Sequence, residues 1–147
     1  MSSHTVTEAA PRTTRNDGPA PRALSDRELS ELLGRQRFGV LASVRGTGHP
    51  HLSTVLYAWN PEERVLSVSS TADRLKVRQL RRDPHAALHV SGPDVWSFAV
   101  AEGEAEIVDP ADRPAPGEEP LLPDRRVTIR IRVTRLYGTA LDIPAQD

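Results

Sequence analysis

Residues 65–84, which read VLSVSSTADRLKVRQLRRDP, contain the transition on which the fold assignment rests. The apolar, β-branched run Val65–Ser69 predicts a strand. From Ser70 to Arg82 the pattern becomes helical, with many arginines on the exposed side, and Pro84 marks the stop. The stretch therefore predicts a strand that leads directly into one short basic helix.

The chain before this stretch predicts one capped helix and two strands. Ser25 and Glu28 have the spacing of a capping box, and the three leucines that follow form an apolar stripe on a helix expected to end at Gly34. The run Phe38–Val44 predicts a strand, and a second strand is expected from about His51 to Trp59. Short turn-forming connections between the first three strands favour antiparallel pairing in a barrel or meander.

The chain after this stretch predicts three further strands. Residues 86–90 and the run from Val95 to Val108 have strand character, and the longer strand is expected to bend near Gly103. Residues 127–134 alternate apolar and polar side chains, which predicts a strand with one buried face. Residues 109–124 contain five of the thirteen prolines and are expected to form a loop. The fold class is therefore mainly β, with six antiparallel strands and two short helices.

The chain of 147 residues is expected to form one domain between two tails. Residues 1–23 carry few large apolar side chains, so ordering them would bury too little surface to offset the lost chain entropy. We expect a disordered tail over 1–23, a folded domain over 24–142 and a C-terminal tail over 143–147.

Composition excludes several classes of function. The chain has no cysteine, so it has no disulfide, thiolate nucleophile or cysteine-ligated metal, which fits a reducing, cytoplasmic setting. A net charge of -1 removes the broad attraction on which non-specific nucleic-acid binding depends. We find no apolar run approaching the ~20 residues of a membrane span, and no apolar stretch near the start that would serve as a secretory signal. Neither a nucleic acid nor a membrane is an expected partner.

The residues between the third strand and the basic helix form a candidate phosphate site. Hydroxyl groups and free backbone N–H groups at a helix N-terminus favour an anion, and a nearby cation supplies the full countercharge. The candidate residues are Ser69, Ser70, Thr71, Arg74, Lys76 and Arg78. Lys76 is the single lysine among nineteen basic residues. The residues alone leave the alternative open that this helix is a solvated basic face.

Other clusters of polar or aromatic residues favour structural roles. His49 and His51 have a metal-binding spacing, but no third ligand lies nearby in sequence, so we predict no metal site. Three glutamates at positions 102, 104 and 106 share a strand face that is expected to meet solvent. Tyr57 and Trp59 would stack on a ring or pack in the core, and core packing is the favoured interpretation.

Four segments carry a resemblance to a known family. They are Phe38–Ser43, Gly48–Ser53, Lys76–Pro84 and Trp96–Gly103, within a region from Leu29 to Gly138. The sequence resembles the split β-barrel family of pyridoxamine-phosphate-oxidase-like flavoproteins, and more closely its actinobacterial branch of oxidoreductases that use the deazaflavin coenzyme F-420. The resemblance implies a six-stranded antiparallel split β-barrel, similar to FMN-binding barrels, that forms a homodimer with the cofactor in the interface.

The resemblance assigns the phosphate site to the cofactor. It implies that Lys76, supported by Arg74 and Arg78, lies near the cofactor phosphate. It also implies that the hydroxyl residues at positions 69–71 lie along the ribityl chain or the ring edge.

Five further residues are implied to contact the cofactor. Pro50, His51 and Ser53 resemble the second-strand segment that faces the ring, although relatives often carry glutamine or another polar residue where this chain has His51. Trp96 and Arg126 are implied to reach the cofactor from the second subunit.

The implied activity is hydride transfer from reduced coenzyme F-420 to a small organic substrate, such as an enone or quinone with an activated C=C bond. FMN with oxidase or reductase chemistry is the first alternative, and a non-catalytic flavin or deazaflavin carrier is the second. No catalytic side chain is assigned. Relatives often carry a helical insertion where this chain has its Pro-rich loop, so the cover over the substrate side is expected to be missing or remade. One hypothesis is that the N-terminal tail folds over the opening in its place.

Overall fold

The computed structural model describes residues 20–109 and 126–141. The two predicted tails lie mostly outside these ranges, as does almost all of the Pro-rich loop, and with them the hypothesised cover over the substrate side. Two helices occur in the described ranges, α1 over Asp26–Arg35 and α2 over Leu75–Arg82. The strands are β1 Arg22–Ala23, β2 Phe38–Val44, β3 Pro50–Leu56, β4 Ala58–Asn60, β5 Val65–Thr71, β6 His85–Ser91, β7 Phe98–Val108, β8 Arg126–Tyr137 and β9 Thr139–Ala140.

Seven strands form one curled antiparallel sheet in the order β3-β2-β6-β7-β8-β5-β4. The mainly β split-barrel class predicted from the sequence is therefore confirmed. All six predicted strands occur, but the second is divided at Tyr57. There the backbone N–H donates to the Arg37 carbonyl and the phenol donates to the Leu33 carbonyl, so the chain leaves β2 and continues beside β5.

A separate two-stranded sheet joins the chain ends of the described region. β1 pairs with β9, with Arg22 opposite Ala140 and Ala23 opposite Thr139. β1 therefore lies within the last residues of the segment predicted to be a tail. None of the helices in the described ranges is long and apolar enough to cross a bilayer.

The predicted capping box of α1 is confirmed. The Ser25 hydroxyl accepts from the Glu28 N–H at 3.1 Å, and the Glu28 carboxylate accepts from the Ser25 N–H at 2.9 Å. The helix continues past Gly34 to Arg35, because the Gln36 N–H still donates to the Leu32 carbonyl before the chain becomes extended. The stripe of Leu29, Leu32 and Leu33 is buried against the sheet.

The helices close the concave side of the sheet over one apolar core. Its fully buried members include Leu33, Leu41, Leu66, Leu88 and Ile129. The β7–β8 register shifts between Glu102 and Gly103, which is where the sequence predicted a bend in the long strand. A side chain at Gly103 would collide with the Arg132 carbonyl, so the close approach of the two strands there requires glycine.

Replacing Ser25 by alanine is expected to lower the free energy of unfolding by about 1 kcal/mol, because one N–H of the first turn loses its acceptor. Denaturant unfolding of the two proteins measures the difference. Ser25→Asp retains an acceptor at the same position and is the matched control. A loss as large in Ser25→Asp as in Ser25→Ala would contradict the capping explanation.

Candidate functional site

A pocket of about 430 Å³ opens where β5 ends and α2 begins. Sites of this size are typical of small-molecule ligands. It brings together six of the eleven predicted site residues: Ser69, Ser70, Thr71, Arg74, Lys76 and Arg126. The opposite wall is the end of β3, from Thr54 to Leu56. We call this cavity the β5–α2 pocket.

The predicted helix begins later than the sequence indicated. Ser70 and Thr71 still belong to β5, because they pair with Val127 and Arg126 of β8. A turn follows, in which the Arg74 N–H donates to the Thr71 carbonyl at 3.1 Å. The last hydroxyl side chains of β5 therefore line the pocket, and α2 begins only at Leu75.

Lys76 is a buried cation that has no counterion among the described residues. Its side chain lines the pocket and the residue is only 8% exposed. It makes no hydrogen bond or ion pair with any residue of 20–109 or 126–141. Burial, and secondarily the positive charge of Arg74, lower the pKa of Lys76 below its ordinary 10.5. Because an unpaired buried charge is costly, this amine favours an anion entering the pocket.

The start of α2 leaves its N-terminus open to such an anion. Arg74 occupies the N-cap position, and no side chain caps the first turn, which also contains no acidic residue. Unpaired N–H groups and the helix dipole favour negative charge at this end. The Thr71 hydroxyl donates to the Asp73 carboxylate at 2.9 Å, so it retains acceptor capacity only.

Arg126 joins the site from the first residue of β8. Its guanidinium donates to the Ser69 hydroxyl at 2.9 Å. This is a contact within one chain, whereas the resemblance implied that Arg126 reaches the site from a second subunit. Three cations therefore converge on a pocket, and the residues of 20–109 and 126–141 that line it include no carboxylate.

Five predicted site residues lie outside the lining of this pocket. Arg78 is exposed on α2, and Trp96 lies in the exposed loop between β6 and β7. Pro50 is exposed at the start of β3, while the His51 ring contacts Gln79 in the interior. The Ser53 hydroxyl is buried without a partner in the described part of the chain.

Comparison with known proteins identifies the chain's family. The model of the pyridoxamine 5'-phosphate oxidase family matches residues 25–140. The chain belongs to the pyridoxamine 5'-phosphate oxidase family. A solved F-420 reductase is 31% identical to this family member, covers 73% of it over 94% of its own length, and superimposes with a TM-score of 0.59.

Two further structures share the fold of this family member. A FAD-binding protein from Mesorhizobium loti is 21% identical over 83% of this chain and 99% of its own, with a TM-score of 0.65. A pyridoxamine 5'-phosphate oxidase-related, FMN-binding protein from Nostoc punctiforme is 14% identical over 77% of this chain and 83% of its own, with a TM-score of 0.56. At these identities the likeness concerns the fold alone.

The β5–α2 pocket fits the phosphate of a cofactor of this family. The decisive observation is the unpaired, buried Lys76, since one phosphate group would supply the missing negative charge. Arg74 and Arg126 lie around the same pocket, and the hydroxyl groups of Ser69 and Ser70 can donate further hydrogen bonds. Sequence reasoning missed the wall from Thr54 to Leu56, although those residues directly follow the quoted Gly48–Ser53 segment.

An apolar surface adjoins the pocket on the convex side of the sheet. Phe38, Leu52 and Leu56 are 63%, 62% and 67% exposed, and Phe38 lies opposite Leu56 in the β2–β3 register. A shallow pocket of about 480 Å³ in this surface shares Thr54 and Leu56 with the β5–α2 pocket. We call the surface around Phe38, Leu52 and Leu56 the convex apolar face.

Two groups of residues have structural roles, as the sequence analysis favoured. Tyr57 and Trp59 pack against the core and donate to the Leu33 carbonyl and the Ser30 hydroxyl, at 2.7 and 3.0 Å. Burial raises the pKa of Tyr57 to about 12.

The three glutamates of β7 lie outward, and two of them pair with arginines of β8, at 3.6 Å each. No group of three possible metal ligands occurs in the described ranges.

Proposed function

We propose that this protein is an oxidoreductase that uses reduced coenzyme F-420 and transfers a hydride to a small organic substrate with an activated C=C bond. The observation that carries the proposal is Lys76, a buried cation that has no counterion among the described residues and lines a pocket whose described lining contains no carboxylate. The 31% identity to an F-420 reductase favours the deazaflavin. A cytoplasmic location remains a prediction from the absence of cysteine.

The residues of the β5–α2 pocket would bind the phosphate end of the cofactor. Lys76 neutralises the phosphate, and Arg74 and Arg126 add charge-assisted hydrogen bonds. Arg78, one turn further along the exposed side of α2, adds a more distant positive charge. The hydroxyl residues 69–71 lie on the side where the ribityl chain would leave the phosphate.

The rest of the cofactor would extend along β3 toward the convex apolar face. Thr54 and Leu56 line both cavities and so connect the phosphate end with an apolar surface suited to a flat ring. When bound, the reduced cofactor supplies the hydride. The chain's part is to hold the ring in one orientation and to exclude water from it. We assign no side chain as acid, base or nucleophile.

We further propose that a second copy of the chain covers the convex apolar face. Exposed apolar patches of this kind mark interaction sites, and a homodimer would enclose a ring that a single copy leaves open. Trp96 lies in an exposed loop and would contact the cofactor of the other copy. Pro50 lies on the same face of β3 as Leu52 and Thr54 and would meet a ring that extends beyond Thr54. The side chains of His51 and Ser53 face the interior, so these two residues would contact the ring only through their backbone.

Two alternatives share the same pocket and are separated by experiment. FMN also carries a phosphate, so the pocket alone accepts it, and a carrier would bind a cofactor without turnover. Fluorescence titration with FMN and with F-420, together with the chromophore released from purified protein, identifies the cofactor. Tight FMN binding without a response to F-420 would overturn the F-420 proposal. Substrate-dependent oxidation of the reduced cofactor by enones or quinones distinguishes an enzyme from a carrier.

Cofactor affinity is expected to fall as pH rises through the lowered pKa of Lys76, because the neutral amine no longer attracts the phosphate. Lys76→Arg should flatten this dependence, since arginine stays protonated throughout the range. Titrations from pH 7 to 10.5 measure both profiles. Parallel profiles for the two proteins would exclude Lys76 as the titrating group.

A further inference from the structure

Gln79 is a buried amide one helical turn after Lys76. It is 2% exposed and lies on the side of α2 that faces the sheet. Its Oε1 atom accepts a hydrogen bond from the Ser43 hydroxyl at 2.6 Å and lies 3.0 Å from Nδ1 of His51. A single amide oxygen therefore connects α2 to two neighbouring strands.

The chemistry of this contact fixes the tautomer of His51. An amide oxygen only accepts hydrogen bonds, so the imidazole must donate from Nδ1, and Nε2 carries the lone pair when the ring is neutral. Ser43 and His51 are direct partners in the β2–β3 register. Gln79 thus accepts hydrogen bonds from both members of one cross-strand pair.

This network lies outside the lining of the β5–α2 pocket and joins the two elements that form its opposite walls. One wall is the start of α2, where Arg74 and Lys76 precede Gln79 by less than two turns. The other wall is Thr54–Leu56 of β3, which begins three residues after His51. Among the described residues, the contact between His51 and Gln79 is the side-chain hydrogen bond that joins α2 to β3.

We propose that Gln79 is a positioning residue that sets the separation of these walls and holds the Lys76 amine at the depth where a cofactor phosphate binds. The proposal rests on the proposed function for its phosphate ligand. Val77 and Leu80 anchor α2 in the core on their own, so removing the network loosens the placement of α2 without unfolding the domain. The mechanism is pre-organisation, which lowers the cost of ordering the site on binding.

The test uses Gln79→Met, which keeps the length of the side chain and removes its acceptor. Arg82→Met, on the exposed side of the same helix, is the matched control, because it removes a different helix–sheet hydrogen bond, to the Val44 carbonyl at 3.4 Å. We expect Gln79→Met to weaken binding of FMN and of F-420 about tenfold or more, whereas Arg82→Met stays within threefold. Equal affinities for Gln79→Met and the control would overturn the proposal.

Two spectroscopic readouts do not depend on any cofactor. Because Lys76 is the only lysine of the chain, ¹³C-lysine labelling reports on this amine alone. In Gln79→Met we expect its pKa to rise toward 10.5 as the side chain becomes less buried, and the ¹⁵N shifts of His51 to lose the Nδ1–H form. An unchanged Lys76 pKa would overturn the positioning role.

These readouts separate the failure of this proposal from that of the proposed function. If the wild-type protein binds neither cofactor, the proposed function fails, while the Lys76 and His51 spectra still decide the role of Gln79. Should Gln79→Met fail to fold, Ser43→Ala removes one donor and leaves Gln79 in place. It is expected to shift the Lys76 pKa in the same direction by a smaller amount, and no shift would count against the network.

Discussion

The Lys76→Met protein is expected to be more stable than wild type without cofactor, and to bind the cofactor about 30-fold more weakly. Lys76 is buried with its pKa lowered and has no counterion in the described ranges, so an apolar side chain of similar length removes a desolvation cost. We expect a gain of about 1 kcal/mol in unfolding free energy. The affinity loss corresponds to about 2 kcal/mol for a hydrogen bond to a charged group.

Denaturant unfolding and fluorescence titration measure the two effects, with Arg82→Met as the control. The sign of the pH dependence follows from the lowered pKa. The charged amine destabilises the fold at neutral pH, and this penalty fades as pH rises from the folded-state pKa toward the unfolded value near 10.5. The stability gain of Lys76→Met should therefore disappear at high pH. A variant that is less stable at neutral pH, or that binds normally, would contradict the assignment.

Phe38→Asp is expected to convert a homodimer into monomers, raising the dimer dissociation constant by more than 100-fold. Phe38 is 63% exposed in the single chain, so a charge there costs the monomer little. In a dimer built on the convex apolar face the same carboxylate would lose its hydration opposite Leu56, and apolar contacts of Phe38 with the other copy would be lost. Cofactor affinity should fall as well, because the ring loses its cover.

Sedimentation over a range of protein concentrations measures the dissociation constant. Val108→Asp is the control, since Val108 is an exposed apolar residue of β7 outside the convex apolar face. A Phe38→Asp protein that dimerises as tightly as wild type would exclude this face as the interface. A monomeric wild-type protein would exclude the dimer itself.

The sequence predicted most accurately the features that depend on neighbouring residues. The capping box of α1 and the alternation in β8 are local, and both are confirmed. The hydroxyl and basic residues that line the β5–α2 pocket between Ser69 and Lys76 are also close in sequence, which is why one stretch contained most of its lining. The late start of α2 was missed because pairing with β8, a long-range contact, extends β5 through Thr71.

Residues brought together by topology were harder to predict. Thr54–Leu56 meet the pocket only because the sheet curls β3 toward the end of β5, and no local pattern encodes this. Arg126 lies beside Ser69 because β5 and β8 pair in one register. Gln79 carries no sequence signal at all, since its role depends on two strands that lie far from it along the chain.

The break at Tyr57 has a consequence for how the half-barrel withstands unfolding. β3 and β4 are the two outer strands of the seven-stranded sheet, yet only Tyr57 separates them along the chain. One residue therefore connects the two edge strands of the open barrel directly. Separating the two edge strands requires Tyr57 to lose its hydrogen bonds to the Arg37 and Leu33 carbonyls. We therefore expect unfolding of one edge strand to destabilise the other. The connection also restricts the movement of both edge strands, which makes them less available to strands of other molecules. Pairing of that kind is how exposed edge strands promote aggregation.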